Sequence, residues 1–407
     1  MRYLASVSLV SLLATGVTAA PAKRTALDSF GSRLYGEITK STKTNVIYSP
    51  ASILMAMAMT REGATDRTAT EMDTVLGDTA RAEVEALRKA LLVAPPKSPD
   101  GAPVPPTLVV ANRLYGDGAT TFDPAFLDLT GKRYGAPLEI VDFRKDFEGA
   151  RGKINTWVEQ QTKDKIKNLL VKGTLDDSTR LVLVNAIYLK AQWATAFEKA
   201  MTKPDKFAVA GGTNRDLPTM HGVVGGAYGS HAGARTLDLP YYAAPGGPRL
   251  AMLIVVPDKA KLDAIEATFA KDGLQPFLAG TSSHGKIDVA LPKFKVGADF
   301  SLGDTLDKMG MHRAFTDDAE FKAMTKATAT KPAERLKISK VIHKAWAEVD
   351  EKGTEAAAAT AVVMVEITSV SVPVKPIPFK VDRSFLFFIH DQNGTVLFGG
   401  RMIDPSI

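Results

Sequence analysis

The chain has 407 residues, of which 45% are hydrophobic and 24% charged, with a formal net charge of +6. That length can bury a large core, and the modest charge excess, with no dense Lys/Arg cluster among aromatics, argues against nucleic-acid binding. The absence of cysteine excludes disulfides, thiolate catalysis, Cys-based metal sites and a lipidated N-terminal Cys.

Residues 1–19 read as a signal peptide. Arg2 supplies the positive end, Leu4 to Gly16 an uncharged, largely apolar stretch, and Val17-Thr-Ala19 a small-residue cleavage signal. The stretch is too short and Ser-rich for a membrane span, and no membrane contact is expected elsewhere. The rival reading is an apolar N-terminus of a cytosolic chain. The expected product is a secreted or periplasmic domain covering residues 20–407, held together by its core alone.

Further along, Ser49-Pro50 predicts a helix start, with Ser as cap and Pro in the first turn. Ile53 to Met59 is apolar nearly all round, so this helix should be buried. A second helix is expected over Arg81–Leu92, followed by a surface loop over Pro95–Pro106, where six prolines in twelve residues prevent pairing. Leu181–Leu189, Leu250–Val256 and Phe385–Ile389 read as strands covered on both faces. Asn393-Gly394, between Phe385–Ile389 and Val396–Phe398, is a hairpin signal. It also begins an Asn-Gly-Thr sequon, for which the tight turn is the better explanation. Helices and strands interleave without a βαβ rhythm, and nothing divides the chain. The pattern suits one α+β domain with interwoven ends.

The stretch Glu351–Ala361 is contradictory. Ala356, Ala357, Ala358 and Ala359 favour helix, yet they follow the alternating strand pattern Val341–Val349 and precede β-branched Val362, Val363 and Val365. Such small, nearly uncharged residues suit a segment that is an exposed loop in one state and a strand in another. Counted in steps of two from Thr354, one face carries Thr354, Ala356, Ala358, Thr360, Val362 and Met364 and bears no charge. The opposite face carries Glu355, Ala357, Ala359, Ala361, Val363 and Val365, with its one charge at the entrance. Asn185 is a second anomaly, an amide inside the apolar strand Leu181–Leu189. Buried without partners it would cost about 1–3 kcal/mol, so hydroxyl or imidazole partners are expected. No Gly-x-Ser-x-Gly elbow, His-Glu-x-x-His or phosphate loop supports the rival class of an exported hydrolase, and six histidines from His221 to His390 lack metal-ligand spacing. Neither a cofactor nor a metal is expected.

Six motifs in order resemble the serpins, the suicide-substrate protease inhibitors. They are Asn45–Ile53, Leu183–Trp193 with Phe197, Leu291–Phe294 as a further strand, Ser339–His343, Glu348–Glu355, and Phe398–Arg401 through Pro405. The resemblance implies an α+β domain with three β-sheets surrounded by helices and an exposed reactive-centre loop over about 351–380. It implies a polar cluster of Ser49, Ser52, Asn185 and His343 beneath the parting sheet. It also implies an ion pair between Glu351 and Lys293, with Trp193 packed nearby. The hinge would comprise Glu351, Gly353, Thr354, Glu355, Ala356 to Ala359, Thr360 and Ala361. It would slide into the sheet after a serine protease cuts the loop.

The family's usual count of sixteen residues from Glu351 places Ile367 before the cut and Thr368 after it, with Met364, Val365 and Glu366 as alternatives. Phe385, matching a fixed Phe beyond the loop, lies 34 residues from Glu351, which is long for the family. An apolar Ile favours an elastase-like or subtilisin-like target. Glu83 and Glu85 offset Arg81, Arg88 and Lys89, which argues against a polyanion cofactor. The chain is expected to be a monomer prone to loop-sheet polymers on heating. The alternatives are a non-inhibitory carrier or chaperone-like serpin and an inhibitor of cysteine proteases.

Overall fold

Ser49 caps helix α2 (Pro50–Arg61) by accepting the Ser52 N–H at 3.2 Å, and every residue from Pro50 to Thr60 is buried. An all-round apolar helix cannot lie on a surface, so the rest of the chain wraps it. The computed structural model describes residues 24–91, 106–209, 212, 214–258, 261–330, 332–354 and 375–406. The signal peptide, residues 95–105 of the proline-rich loop, hinge residues 355–361, positions 364–366 and the Ile367–Thr368 bond lie outside the described residues.

Before α2 come α1 (Ala26–Ser41) and β1 (Val46–Tyr48). After it follow α3 (Asp66–Leu76), α4 (Ala80–Leu91), β2 (Thr107–Asp117), α5 (Pro124–Tyr134), β3 (Glu139–Val141) and α6 (Phe143–Gln161). On α4 the charges are used differently from the expected offset. Glu83 accepts the Ala26 and Leu27 N–H groups, both at 2.9 Å, and so caps α1. Arg81 pairs with Glu62 instead, while Glu85 meets Lys89 and Arg133.

The second half of the chain is mostly strand. It contains β4 (Leu181–Gln192), β5 (Lys203–Ala208), β6 (Asn214–His231), β7 (Ala234–Pro240), β8 (Leu250–Pro257), β9 (Thr281–Pro292), β10 (Phe294–Ser301), β11 (Lys340–Asp350), β12 (Gly353–Thr354), β13 (Ile377–Lys380), β14 (Phe385–Asp391) and β15 (Val396–Met402). A nine-stranded sheet runs β1-β15-β14-β8-β7-β6-β9-β13, with β5 on β6. It joins two of the three expected sheets, because the long strands β6 and β9 continue through both. The other sheet has six strands in the order β10-β11-β12-β4-β2-β3. The main core lies between the sheets around α2. A second apolar layer, including Phe143, Ile154, Val158, Val182 and Val184, seats α6 on the outer face of the six-stranded sheet.

Two local expectations need correction. Leu291–Phe294 is not one strand: β9 ends at Pro292 and β10 begins at Phe294, in different sheets, with Lys293 at the junction. A proline that cannot donate to a ladder closes β9 there. The Asn393-Gly394 connection is also longer than a two-residue hairpin. Only Gly394 has a positive φ (+77°), and the Asp391 carboxylate accepts the N–H groups of Asn393 and Thr395, both at 2.9 Å. That aspartate stabilises an extra pair of turn residues.

Candidate functional site: the seam of the six-stranded sheet

Asn112, Asn185 and His343 are aligned cross-strand partners on β2, β4 and β11. All three face α2. The Asn185 amide donates to Ser52 Oγ and Asn112 Oδ1, and its carbonyl faces His343 Nδ1. The Asn112 amide donates to the Ser52 carbonyl at 3.2 Å. Ser49 N–H donates to His343 Nε2 at 3.2 Å, and Ser49 Oγ to the Leu397 carbonyl at 2.6 Å. Because Nε2 accepts, the ring proton belongs on Nδ1, where Asn185 Oδ1 receives it. The network lies in the core: Ser49, Ser52 and His343 are fully buried, and only Asn112 keeps a small exposed surface.

Burial therefore holds His343 neutral, lowering its pKa from 6.5 to about 3. A ring with both nitrogens engaged in the core has no catalytic base function. Above pH 6.5 it is neutral in folded and unfolded chains alike and contributes no pH dependence. Below that, the unfolded chain takes a proton that the folded one refuses. Stability should fall between about pH 6.5 and 3, at up to about 1.4 kcal/mol per unit. Denaturant melts across this range should be steeper for the parent than for His343→Gln; equal slopes would refute the assignment.

The upper end of the seam is built on a turn. Asp350 at the end of β11 accepts the Lys352 and Gly353 N–H groups at 2.8 and 3.3 Å, turning the chain back on itself. Gly353 has φ +147°, and a Cβ there would lie 2.1 Å from the Ala191 carbonyl oxygen, so only glycine fits. Glu351, 7% exposed, meets Lys293 Nζ at 2.8 Å and accepts the Thr202 hydroxyl at 2.7 Å. Burial works to raise its pKa, but the Lys293 and Thr202 contacts outweigh it, and the net shift is downward. Trp193 fixes the same turn from the β4 side. Its indole N–H donates to the Asp350 carbonyl at 3.0 Å and its backbone N–H to the Lys352 carbonyl at 2.8 Å. Its ring stacks on Tyr241 at 4.6 Å, and the Tyr241 hydroxyl meets Thr354 Oγ1 at 2.6 Å in the core.

Between these two ends the seam changes character. β11 pairs directly with β4 from Lys340↔Val182 to Ala345↔Ile187, in parallel. Higher up, β12 lies between them, antiparallel to both, with Thr354 opposite Val349 and Ala191 and Gly353 opposite Asp350 and Gln192. Trp346–Glu348 and Tyr188–Lys190 separate the two pairings. The sheet is already one strand wider at the top than below.

The structure thus brings Ser49, Ser52, Asn185 and His343 into one cluster and Trp193, Lys293, Glu351, Gly353 and Thr354 into another. Sequence reasoning missed Asn112, Thr202 and Tyr241. Asn112 carried the same signal as Asn185, an amide within an apolar strand. Thr202 and Tyr241 carried none, since their partners lie far along the chain.

The sequence profile of the family described as serpin (serine protease inhibitor) matches residues 25–405. Human Serpin B4 is 35% identical, with 91% of this chain and 96% of that protein covered. Human leukocyte elastase inhibitor is also 35% identical, over 89% and 93% of the two chains. The crystal structure of Serpin48, described as a highly specific serpin of the insect Tenebrio molitor, superposes with a TM-score of 0.77 at 29% identity, covering 93% of this chain and 97% of its own. Family profile, relatives and fold agree across nearly the whole length, and this chain belongs to the serpin family.

Proposed function

We propose that this serpin is an exported, single-use inhibitor of serine endopeptidases that traps its target as an acyl-enzyme. The observation that carries this reading is the seam, where Gly353 and Thr354 already sit between β4 and β11. If pairing continues in that register, each further residue lies one rung lower. Ala356 would come beside Leu189 and Ala347, Ala358 beside Ile187 and Ala345, and Thr360 beside Asn185 and His343. Those β4 and β11 neighbours in the apolar rungs belong to the main core, so the uncharged face of the hinge is the one that would be buried.

A protease serine attacks the carbonyl of Ile367, and the Thr368 amine leaves. The freed hinge then enters the seam while the enzyme is still esterified. A dozen inserted residues, at about 0.5–1.5 kcal/mol per new hydrogen bond, supply on the order of 10 kcal/mol to displace the enzyme and stall deacylation. Ile367 and the similarity to leukocyte elastase inhibitor favour an elastase-like or subtilisin-like target. Residues 1–19 support export, and recovery of secreted protein beginning at residue 20 would test that part.

The mature protein should be mixed with elastase, chymotrypsin, subtilisin and trypsin and followed by denaturing gels and mass spectrometry. The expected result is an SDS-stable complex and a released fragment beginning at Thr368. Cleavage by every protease without a complex would replace this reading with a non-inhibitory serpin or a target of another protease class.

A further inference from the structure

His390, near the end of β14, is also buried, yet its surroundings are the opposite of those of His343. Its Nδ1 lies 2.8 Å from the Asp391 carbonyl and its Nε2 2.9 Å from Asp238 Oδ1 on β7. A carbonyl and an ionised carboxylate only accept, and the Asp391 carbonyl already receives the Gly394 N–H at 2.9 Å. A neutral ring would turn one bare nitrogen against an oxygen at that distance, so the ring is protonated at both nitrogens. The proton belongs to the imidazole rather than to Asp238, because a carboxylate that keeps an edge in water is the weaker base. Strand β8 lies between the two. His390 stands opposite Ala251 and Asp238 opposite Leu253, and the small Ala251 side chain leaves room for the ring to reach across.

We infer that His390 and Asp238 form a proton-operated lock that ties β7 to β14 across β8, closed while the ring carries two protons and released when it loses one. The charged groups facing the ring are Asp238 and, beside it on its own strand, Asp391, whose carboxylate is engaged by the Asn393 and Thr395 N–H groups. Helix α7 (Leu262–Asp272) reaches β14 through Phe269 on Phe388, and its Glu266 is held by Tyr35 and Arg401. Helix α8 (Gln275–Ala279) on β7, strand β8 and residues 396–400 of β15 carry no ionisable side chain. Burial works against the charged ring, but the Asp238 hydrogen bond and charge, with the Asp391 carbonyl, outweigh it, and its pKa is raised above 6.5. Below pH 6.5 the ring is charged in folded and unfolded chains alike, and the pair contributes in full. As pH rises beyond 6.5 the unfolded chain gives up its proton first. The folding equilibrium constant then falls by up to about tenfold per pH unit, until the folded ring deprotonates too. Asp238 can then turn to water, while the buried ring cannot follow. The pair belongs to the nine-stranded sheet, so the lock acts whether or not the hinge inserts.

The test is nitrogen NMR of the imidazole rings in the isotope-labelled protein across the neutral to alkaline range, with the His390 signals identified by their loss in His390→Gln. At neutral pH both His390 nitrogens should be protonated, with a titration midpoint above 6.5. Asp238→Asn, which keeps an acceptor of the same shape without the charge, should lower that midpoint by about one pH unit. Denaturant unfolding supplies the second readout. As pH rises by about two units from 6.5, the parent should lose stability relative to His390→Gln by at least about threefold in the folding constant. A His390 ring with one bare nitrogen at neutral pH, or parallel pH profiles for the parent and His390→Gln, would overturn the lock. Should His390→Gln fail to fold, Asp238→Asn supplies both the signal that moves and the comparison profile.

Discussion

Ala358→Glu is expected to abolish the SDS-stable complex while leaving cleavage of the loop intact. In the register set by β12, position 358 would lie beside Ile187 and Ala345, both fully buried in the main core. A lone carboxylate has no cation there, and burying it unpaired costs roughly 3–5 kcal/mol after relaxation. Insertion would stall three rungs below the present end of β12, before the acyl-enzyme is displaced. A penalty of that size moves the partition between trapping and hydrolysis by more than about 100-fold, because each 1.4 kcal/mol is a factor of ten. The substituted protein should behave as a substrate. Ala357→Glu is the internal control, since its side chain would face away from the main core on the rung of Trp346, whose ring carries Lys165 at 5.1 Å. It should retain most complex formation. Comparable loss in both variants would show that the hinge does not insert in this register.

What the sequence made legible was whatever it encoded locally. The cap and proline at Ser49-Pro50 define a helix start without any distant partner, and the unbroken apolar run behind them forces burial. Asn185 was legible because a buried amide must be satisfied, although its partners Ser52 and Asn112 could not be read from spacing. The strand break at Lys293 was not legible. Leu291-Pro-Lys-Phe reads as one apolar run, and only the partition of β9 and β10 between two sheets separates it. Glu83 misled for a related reason: it sits among basic residues on its own helix but is held by two N–H groups of α1. The Gly353 requirement and the Tyr241–Thr354 contact depend on β4 passing within van der Waals range of the returning chain. No local pattern announces such a contact.

Asn185→Ala should destabilise the intact protein by about 3 kcal/mol and lower the temperature at which it polymerises. Removing this amide strands the His343 ring N–H in the core and leaves Ser52 Oγ and Asn112 Oδ1 only each other, at 3.4 Å. The same rung is the third from the top of the direct β4–β11 pairing. Once it loosens, the seam above it can accept an extended strand from any source. A neighbouring molecule's loop meets the geometric requirement as well as the protein's own, and head-to-tail donation does not close on itself, so chains grow. The loop-cleaved form should lose less, because the Thr360 hydroxyl would then stand between positions 185 and 343 and partner His343. Thr360→Val should show the converse, leaving the intact form unchanged and weakening only the cleaved one. Unfolding midpoints of the four species, with size-exclusion profiles after mild heating, separate these cases. If Asn185→Ala weakens intact and cleaved forms alike, the polar cluster is a static part of the core, and the hinge strand brings it no new partner.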